Sequence, residues 1–210
     1  MQRVRIISFD AEGTLASHAF SHRFWQETVP MLLGQKERLP FDRAAEHVFS
    51  EYQTIGPNRP EWFDIGYWFR RFELGDPIPV IERYRFLIEF YPETESVLRE
   101  LSSRYQLVVA STTPFEFLRP LLRDVEHAFV RYFSATSLFG RPKDEAFFRH
   151  MCVELDAAPS EVLHVGDNWS HDYLSSSAAG LTALYLDRSR SSNGCLHSLS
   201  DLLSHLPGDS

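Results

Sequence analysis

Val4–Phe9 (VRIISF) is a short, apolar, β-branched run that ends at Asp-Ala-Glu-Gly-Thr, the pattern of a buried strand opening into a glycine-containing loop. The next such run comes much later. Residues 93–104 (ETESVLRELSSR) place Val97, Leu98 and Leu101 on one helical face and lead into Leu107–Ala110 (LVVA), which ends at Ser111-Thr112-Thr113. A third run, Val162–Val165, follows a helical stretch at 144–155 and stops at Gly166-Asp167. A fourth, Ala183–Leu186, follows a helix expected at 172–179 that ends at Gly180. Strand and helix therefore alternate from residue 93 onward. This order predicts an α/β fold built on a doubly wound, Rossmann-like parallel sheet, in which ligands sit beyond the carboxyl ends of the strands.

Residues 16–91 break the alternation. They contain no strand pattern but several helical stretches, at 20–33, 41–54, 60–74 and 78–90. The expected organisation is a core of 1–15 and 92–210 with an inserted α-helical domain at 16–91. Aromatic residues crowd the insert: Phe24, Trp25, Trp62, Phe63, Tyr67, Trp68, Phe69 and Phe72 lie in or near its helices. At helical spacing they form either the insert's own core or a wall that faces a substrate. A Ser-rich stretch, Ser189–Asn193, reads as a loop before a short helix at 198–206.

Composition narrows the class. A chain of 210 residues has room for one large domain or a domain with an insertion. Its 43% apolar and 24% charged residues are those of a folded globular protein. The 21 Lys and Arg against 29 Asp and Glu leave a net charge of -8, with the basic residues scattered, which argues against nucleic acid as a partner. Only Cys152 and Cys195 are present, too few for a disulfide framework. No stretch approaches the ~20 apolar residues of a membrane helix, and the opening apolar run is shorter than that of a signal peptide. The expectation is a cytoplasmic protein with no membrane partner.

Chemistry-bearing residues gather at the strand ends. Asp10 and Glu12 stand two positions apart before Gly13. One carboxylate can attack a phosphoryl group while the other protonates the leaving oxygen and then activates water; the same acids could instead cap the loop. Asp167 and Asp172 follow the third run, five positions apart. Hard oxygen ligands on a loop suit Mg²⁺, with Asp167 as the direct ligand. Asp172 either orients neighbours or serves as an acid in the next helix's first turn. Ser111 could donate to a phosphate oxygen with help from Thr112, and Lys143 could offset the charge of the carboxylates and the phosphoryl group.

The order Asp10-x-Glu12-Gly13-Thr14, Ser111, Lys143 and Gly166-Asp167-(four residues)-Asp172 resembles the four ordered motifs of the haloacid dehalogenase-like hydrolase superfamily. The insert at 16–91 is similar in position and helical character to the cap that many members carry between the first two motifs. The resemblance implies a phosphatase with Asp10 as nucleophile, Glu12 as acid/base, and Ser111 and Lys143 as phosphate ligands. It also implies Mg²⁺ held by Asp10, the Glu12 backbone carbonyl and Asp167, and a small phosphorylated metabolite as substrate.

Two positions depart from that pattern. Most phosphatases of the superfamily have Asp where this chain has Glu12; the longer arm moves the carboxylate by roughly 1.5 Å, although Glu here resembles the enolase-phosphatases. The familiar Lys-Pro order is replaced by Arg141-Pro142-Lys143-Asp144, so Arg141 competes for the role of cation, and Lys143 is favoured because Lys is the usual point-charge phosphate partner. Hydrolysis of a phosphomonoester is the leading expectation. A phosphomutase and a non-catalytic phosphate-binding protein use the same core, whereas a haloacid dehalogenase needs neither the metal nor the second acid.

Overall fold

The computed structural model describes residues 4–57, 59–191 and 194–206. Residues 192 and 193 of the expected Ser189–Asn193 loop lie outside the described residues. Ile6–Phe9 forms β1 with every residue buried, as a run apolar on both faces requires in a sheet covered on both sides. It is joined by β2 (Gln106–Ser111), β3 (Arg131–Ser134), β4 (Val162–Gly166) and β5 (Thr182–Tyr185). All pairings are parallel and the strand order is β3-β2-β1-β4-β5.

That order places the topological switch point between β1 and β4, where the connections leave in opposite directions. Phe9 lies level with Val109 on one side and Val165 on the other. The loops that begin at Asp10, Ser111 and Gly166 therefore leave the sheet along one edge.

Four of the strands coincide with the predicted runs, but β3 was not among them. Its four residues, RYFS, carry Arg131 exposed and only Phe133 and Ser134 buried. So short an edge strand shows too little alternation to be read, and it gains its hydrogen bonds from β2 alone. The helix Phe115–Leu122 was also unforeseen, because Pro120 sits inside it.

The helical segment follows the expected stretches closely. A continuous run comprises Ala19–Arg23, a π-helical turn Phe24–Thr28 and Val29–Glu37. Pro30 lacks the N–H that would bond residue 26, and the ladder widens into the π turn just upstream. Phe41–Ile55, the 3₁₀ turn Pro60–Phe63, Ile65–Arg71 and Pro77–Arg83 follow. Asp64 separates the two middle elements by accepting the Tyr67 N–H at 2.9 Å, a side-chain N-cap.

Side-chain alternation along the strands splits the core in two. Ile6, Val108, Ala110 and Phe133 face one layer with Phe147, Phe148 and Met151, while Ile7, Phe9, Leu107 and Val109 face the other. The second layer runs unbroken into the helical segment through Phe117, whose ring lies 4.9 Å from Phe24, 5.6 Å from Trp25 and 5.7 Å from Phe20. Among the described residues, no helix is long and apolar enough to cross a membrane.

Candidate active site

Asp10 continues β1 by donating its N–H to Val165 O at 2.9 Å, so the sheet itself aims the carboxyl. The side chain is buried beside Lys143, whose Nζ donates to Asp10 Oδ1 at 2.6 Å and to Ala110 O at 3.0 Å. The same ammonium pairs with Asp172 Oδ1. Buried charges persist only when paired, and Lys143, 2% exposed, has two carboxylates. Burial works to lower its pKa, yet Asp10 and Asp172 outweigh burial and raise it.

Asp172 is committed on every side. Besides Lys143, its Oδ1 lies 3.0 Å from His164 Nε2, and its Oδ2 accepts the Asn168 N–H at 2.9 Å. His164 in turn meets Ser8 Oγ at 3.0 Å through Nδ1. Burial would raise the Asp172 pKa, but Lys143 and His164 hold it below the usual carboxylate range. Close packing explains Gly166: a Cβ there would stand 2.2 Å from Asp172 Cγ.

Asp167 is half-buried on the loop after β4 and rests on the first loop. Gly13 has φ +83°, and a Cβ on it would fall 2.1 Å from Asp167 Oδ2, so only glycine admits this carboxylate. His18 Nε2 is 3.4 Å from the same oxygen, and that contact leads the effects that raise the His18 pKa. Asp10, Asp167 and Asp172 each offer an oxygen within 4.8 Å of the others. Burial raises the Asp10 pKa to about 7; Lys143 opposes this, while Asp172 and Asp167 add to it. One ammonium does not balance this many carboxylates.

Glu12 has the opposite surroundings. Its Oε2 accepts from Thr113 Oγ1 at 3.1 Å, whereas Oε1 is buried without a completed hydrogen bond. Burial raises its pKa against the opposing influence of Ser21, His18 and Thr113.

Ser111 is buried at the end of β2, where its Oγ accepts the Thr113 N–H at 3.2 Å. Thr112 supports the neighbouring loop: its Oγ1 accepts the Lys143 N–H at 3.5 Å and its carbonyl accepts Thr136 Oγ1 at 2.6 Å. Arg141 pairs with Asp144 at 2.8 Å on the surface, so Lys143 is the cation at Asp10. The sequence reading singled out neither Thr113 nor His164, although both stand in the quoted strand and strand end. Arg188 carried no local signal at all. It donates to Gly13 O at 3.1 Å and Thr14 O at 2.6 Å, pairs with Glu93 at 2.8 Å, and so clamps the Asp10 loop from the far end of the chain.

Next to the acids lies a cavity of about 330 Å³. His18 and Ser21 line its near end, and Trp25, Tyr52, Trp62 and Trp68 line the rest together with His22 and Gln26. All its lining residues belong to the helical segment.

Residues 4–180 match the family profile of haloacid dehalogenase-like hydrolases, and the chain belongs to that family. It is therefore a hydrolase of the haloacid dehalogenase-like type. Among individual relatives, it is 23% identical over 163 residues to the GMP/IMP nucleotidase YrfG of Escherichia coli (strain K12), covering 76% of this chain and 72% of that protein. In structure it resembles a HAD phosphatase from Thermococcus onnurineus with a TM-score of 0.83, at 23% identity and over 98% of this chain and 99% of that one. It also resembles a 2-haloacid dehalogenase from Pseudomonas syringae pv. Tomato DC3000, with a TM-score of 0.68 at 19% identity over 96% and 97% of the two chains. These likenesses establish the fold.

Proposed function

We propose that the chain is a Mg²⁺-dependent phosphatase that hydrolyses a small phosphomonoester through an aspartyl phosphate on Asp10, with residues 16–91 acting as a cap over the site. The observation that carries this reading is the contrast between two acids of one loop. Burial raises the pKa of both, but at Asp10 the Lys143 ammonium opposes it from 2.6 Å, while Glu12 is buried with one oxygen left without a completed hydrogen bond. Two carboxyls with such different surroundings suit the roles of nucleophile and general acid.

In the first step an Asp10 carboxylate oxygen attacks phosphorus, the bond from phosphorus to the ester oxygen breaks, and Glu12 delivers its proton to that leaving oxygen. In the second, the Glu12 carboxylate takes a proton from water, and the resulting hydroxide attacks phosphorus. The phosphorus–Asp10 bond then breaks, which frees inorganic phosphate and restores both carboxyls. Lys143, with Ser111 and Thr112 at the end of β2, meets the phosphoryl oxygens.

Asp10, Asp167 and the Glu12 backbone carbonyl would hold Mg²⁺, which when bound offsets the negative charge gathered between the carboxylates and the phosphoryl group. The donor set fits such a cation. All candidate ligands are hard oxygens, Gly13 leaves the space for the Asp167 carboxylate, and the Asp10 pKa is raised even with Lys143 alongside. Asp172, engaged by Lys143, His164 and the Asn168 N–H, serves to hold the lysine.

The dehalogenase neighbour shares the fold, but halide leaves as a stable anion and needs no proton, which would leave Glu12 without a task. The nucleotidase relative makes guanosine and inosine monophosphates the first substrates to try. With Mg²⁺ and an aryl phosphate, the wild type should turn over, and Asp10→Asn should lose at least about a thousandfold in kcat. Equal rates in the two proteins would sink the assigned nucleophile.

A further inference from the structure

The cavity beside the acids differs from the catalytic end in both charge and partners. Its near end is formed by His18, which contacts Asp167, and by Ser21, which faces Glu12. A group occupying it would thus be attached to the oxygen that Glu12 protonates. Beyond that end Trp25, Tyr52, Trp62 and Trp68 form an aromatic wall with His22 and Gln26 beside it, and no Asp, Glu, Lys or Arg lines the cavity. Trp25 and Trp62 stand near Tyr52 with ring centroids at 6.0 and 6.1 Å, and Trp68 meets it edge-on at 4.6 Å.

Tyr52 supplies an independent observation. It is 9% exposed, and its hydroxyl is buried with no hydrogen-bond partner, although it lines the cavity. Leaving a buried hydroxyl unpaired is costly, and such groups ordinarily find a partner. The indole N–H of Trp68, by contrast, is already donated to Trp62 O at 3.2 Å. Tyr52 thus brings to the wall a buried donor that is not used within the protein.

We propose that this cavity receives a flat, uncharged ring of the leaving group, and that the Tyr52 hydroxyl donates to a ring nitrogen or carbonyl oxygen on it. The substrate class is then a monophosphate ester with a heteroaromatic leaving group, of which a nucleoside monophosphate is the common biological form. Aromatic walls stack such a ring, and the lack of fixed charge disfavours a leaving group with a second anion. This inference rests on the phosphatase reading for its direction, since that reading places the ester oxygen at Glu12.

The test uses binding as well as turnover. Three of the four tryptophans of the chain line the cavity, so intrinsic fluorescence reports on it. In Asp10→Asn protein, inosine monophosphate should quench that fluorescence and ribose 5-phosphate should not. Adding Tyr52→Phe should weaken inosine monophosphate binding about tenfold, the worth of one hydrogen bond. In the otherwise unaltered enzyme, Tyr52→Phe should lower the ratio of kcat/KM for inosine monophosphate to that for ribose 5-phosphate by a similar factor. Its melting temperature should not fall, because the hydroxyl removed had no partner. Equal quenching by the two esters, or an unaltered ratio in Tyr52→Phe, would overturn the inference. An unaltered ratio in Tyr52→Phe with Asp10→Asn still inactive would fault this pocket alone, whereas an active Asp10→Asn would fault the nucleophile.

Discussion

At the carboxyl end of the sheet, buried polarity is answered by opposite charge: Lys143 with Asp10 and Asp172, and Asp172 with His164. In the helical segment, Phe20, Phe24 and Phe69 are buried by packing alone, Trp68 adds one hydrogen bond to Trp62 O, and the Tyr52 hydroxyl among them has no partner. A paired network holds its groups at fixed distances, which a reaction at phosphorus requires. An aromatic wall tolerates several ring positions and discriminates chiefly by shape. The two regions nevertheless share one apolar layer through Phe117, so the wall is set against a rigid support.

The sharpest way to break this contrast is to remove its central charge. Lys143→Met leaves Asp10 and Asp172 buried without their ammonium, so we expect a stability loss of about 3–5 kcal/mol together with near-complete loss of turnover. Thermal melting and steady-state kinetics on the same preparation check both. A stable but inactive variant would show that His164 and the Asn168 N–H suffice to hold Asp172.

The shared layer is tested next. Phe117→Ala should destabilise the protein by about 3 kcal/mol or more, and should lower a single unfolding transition rather than split it, since the ring packs against both regions. Two separated transitions in calorimetry would mean that the helical segment folds independently of the sheet.

The smallest effect sharpens the electrostatic side. In chelator, the folded Asp10 pKa of about 7 lies above its ordinary value of 3.8, so the folded protein holds that proton more tightly than the unfolded chain. The stability that Asp10 contributes is therefore fullest below pH ~4 and declines as pH rises towards 7. Asp10→Asn lacks this slope, and the difference between its melting temperature and that of the wild type should move in the variant's favour from pH 5 to pH 8. A pH-independent difference would mean that Lys143 fully neutralises Asp10.

Much of this site was legible in the chain. Asp10 stands directly after an apolar run, Glu12 and Asp167 lie within three residues of one and Asp172 lies further along the same loop, and parallel strands deliver their ends to one edge. The short edge strand Arg131–Ser134 was not legible, because its pairing comes from β2 rather than from its own pattern. The choice of Lys143 over Arg141, two residues apart in one loop, rested on residue type alone. The fold turns one to Asp144 and the other to Asp10.

The periodic runs and the order of the acids thus sufficed for the parallel α/β core, the helical stretches between residues 16 and 91 and the residues at the strand ends, because these follow from local spacing. The partner of each charge did not follow from spacing. Arg188 on the Gly13 and Thr14 carbonyls, His164 against Asp172, and Thr113 against Glu12 all join separate parts of the chain. So does the aromatic cavity, where Trp25, Tyr52, Trp62 and Trp68 come from separate helical elements. Burial and long-range contact settle which acid is paired and which keeps a free oxygen, and neither is encoded in any one stretch of sequence.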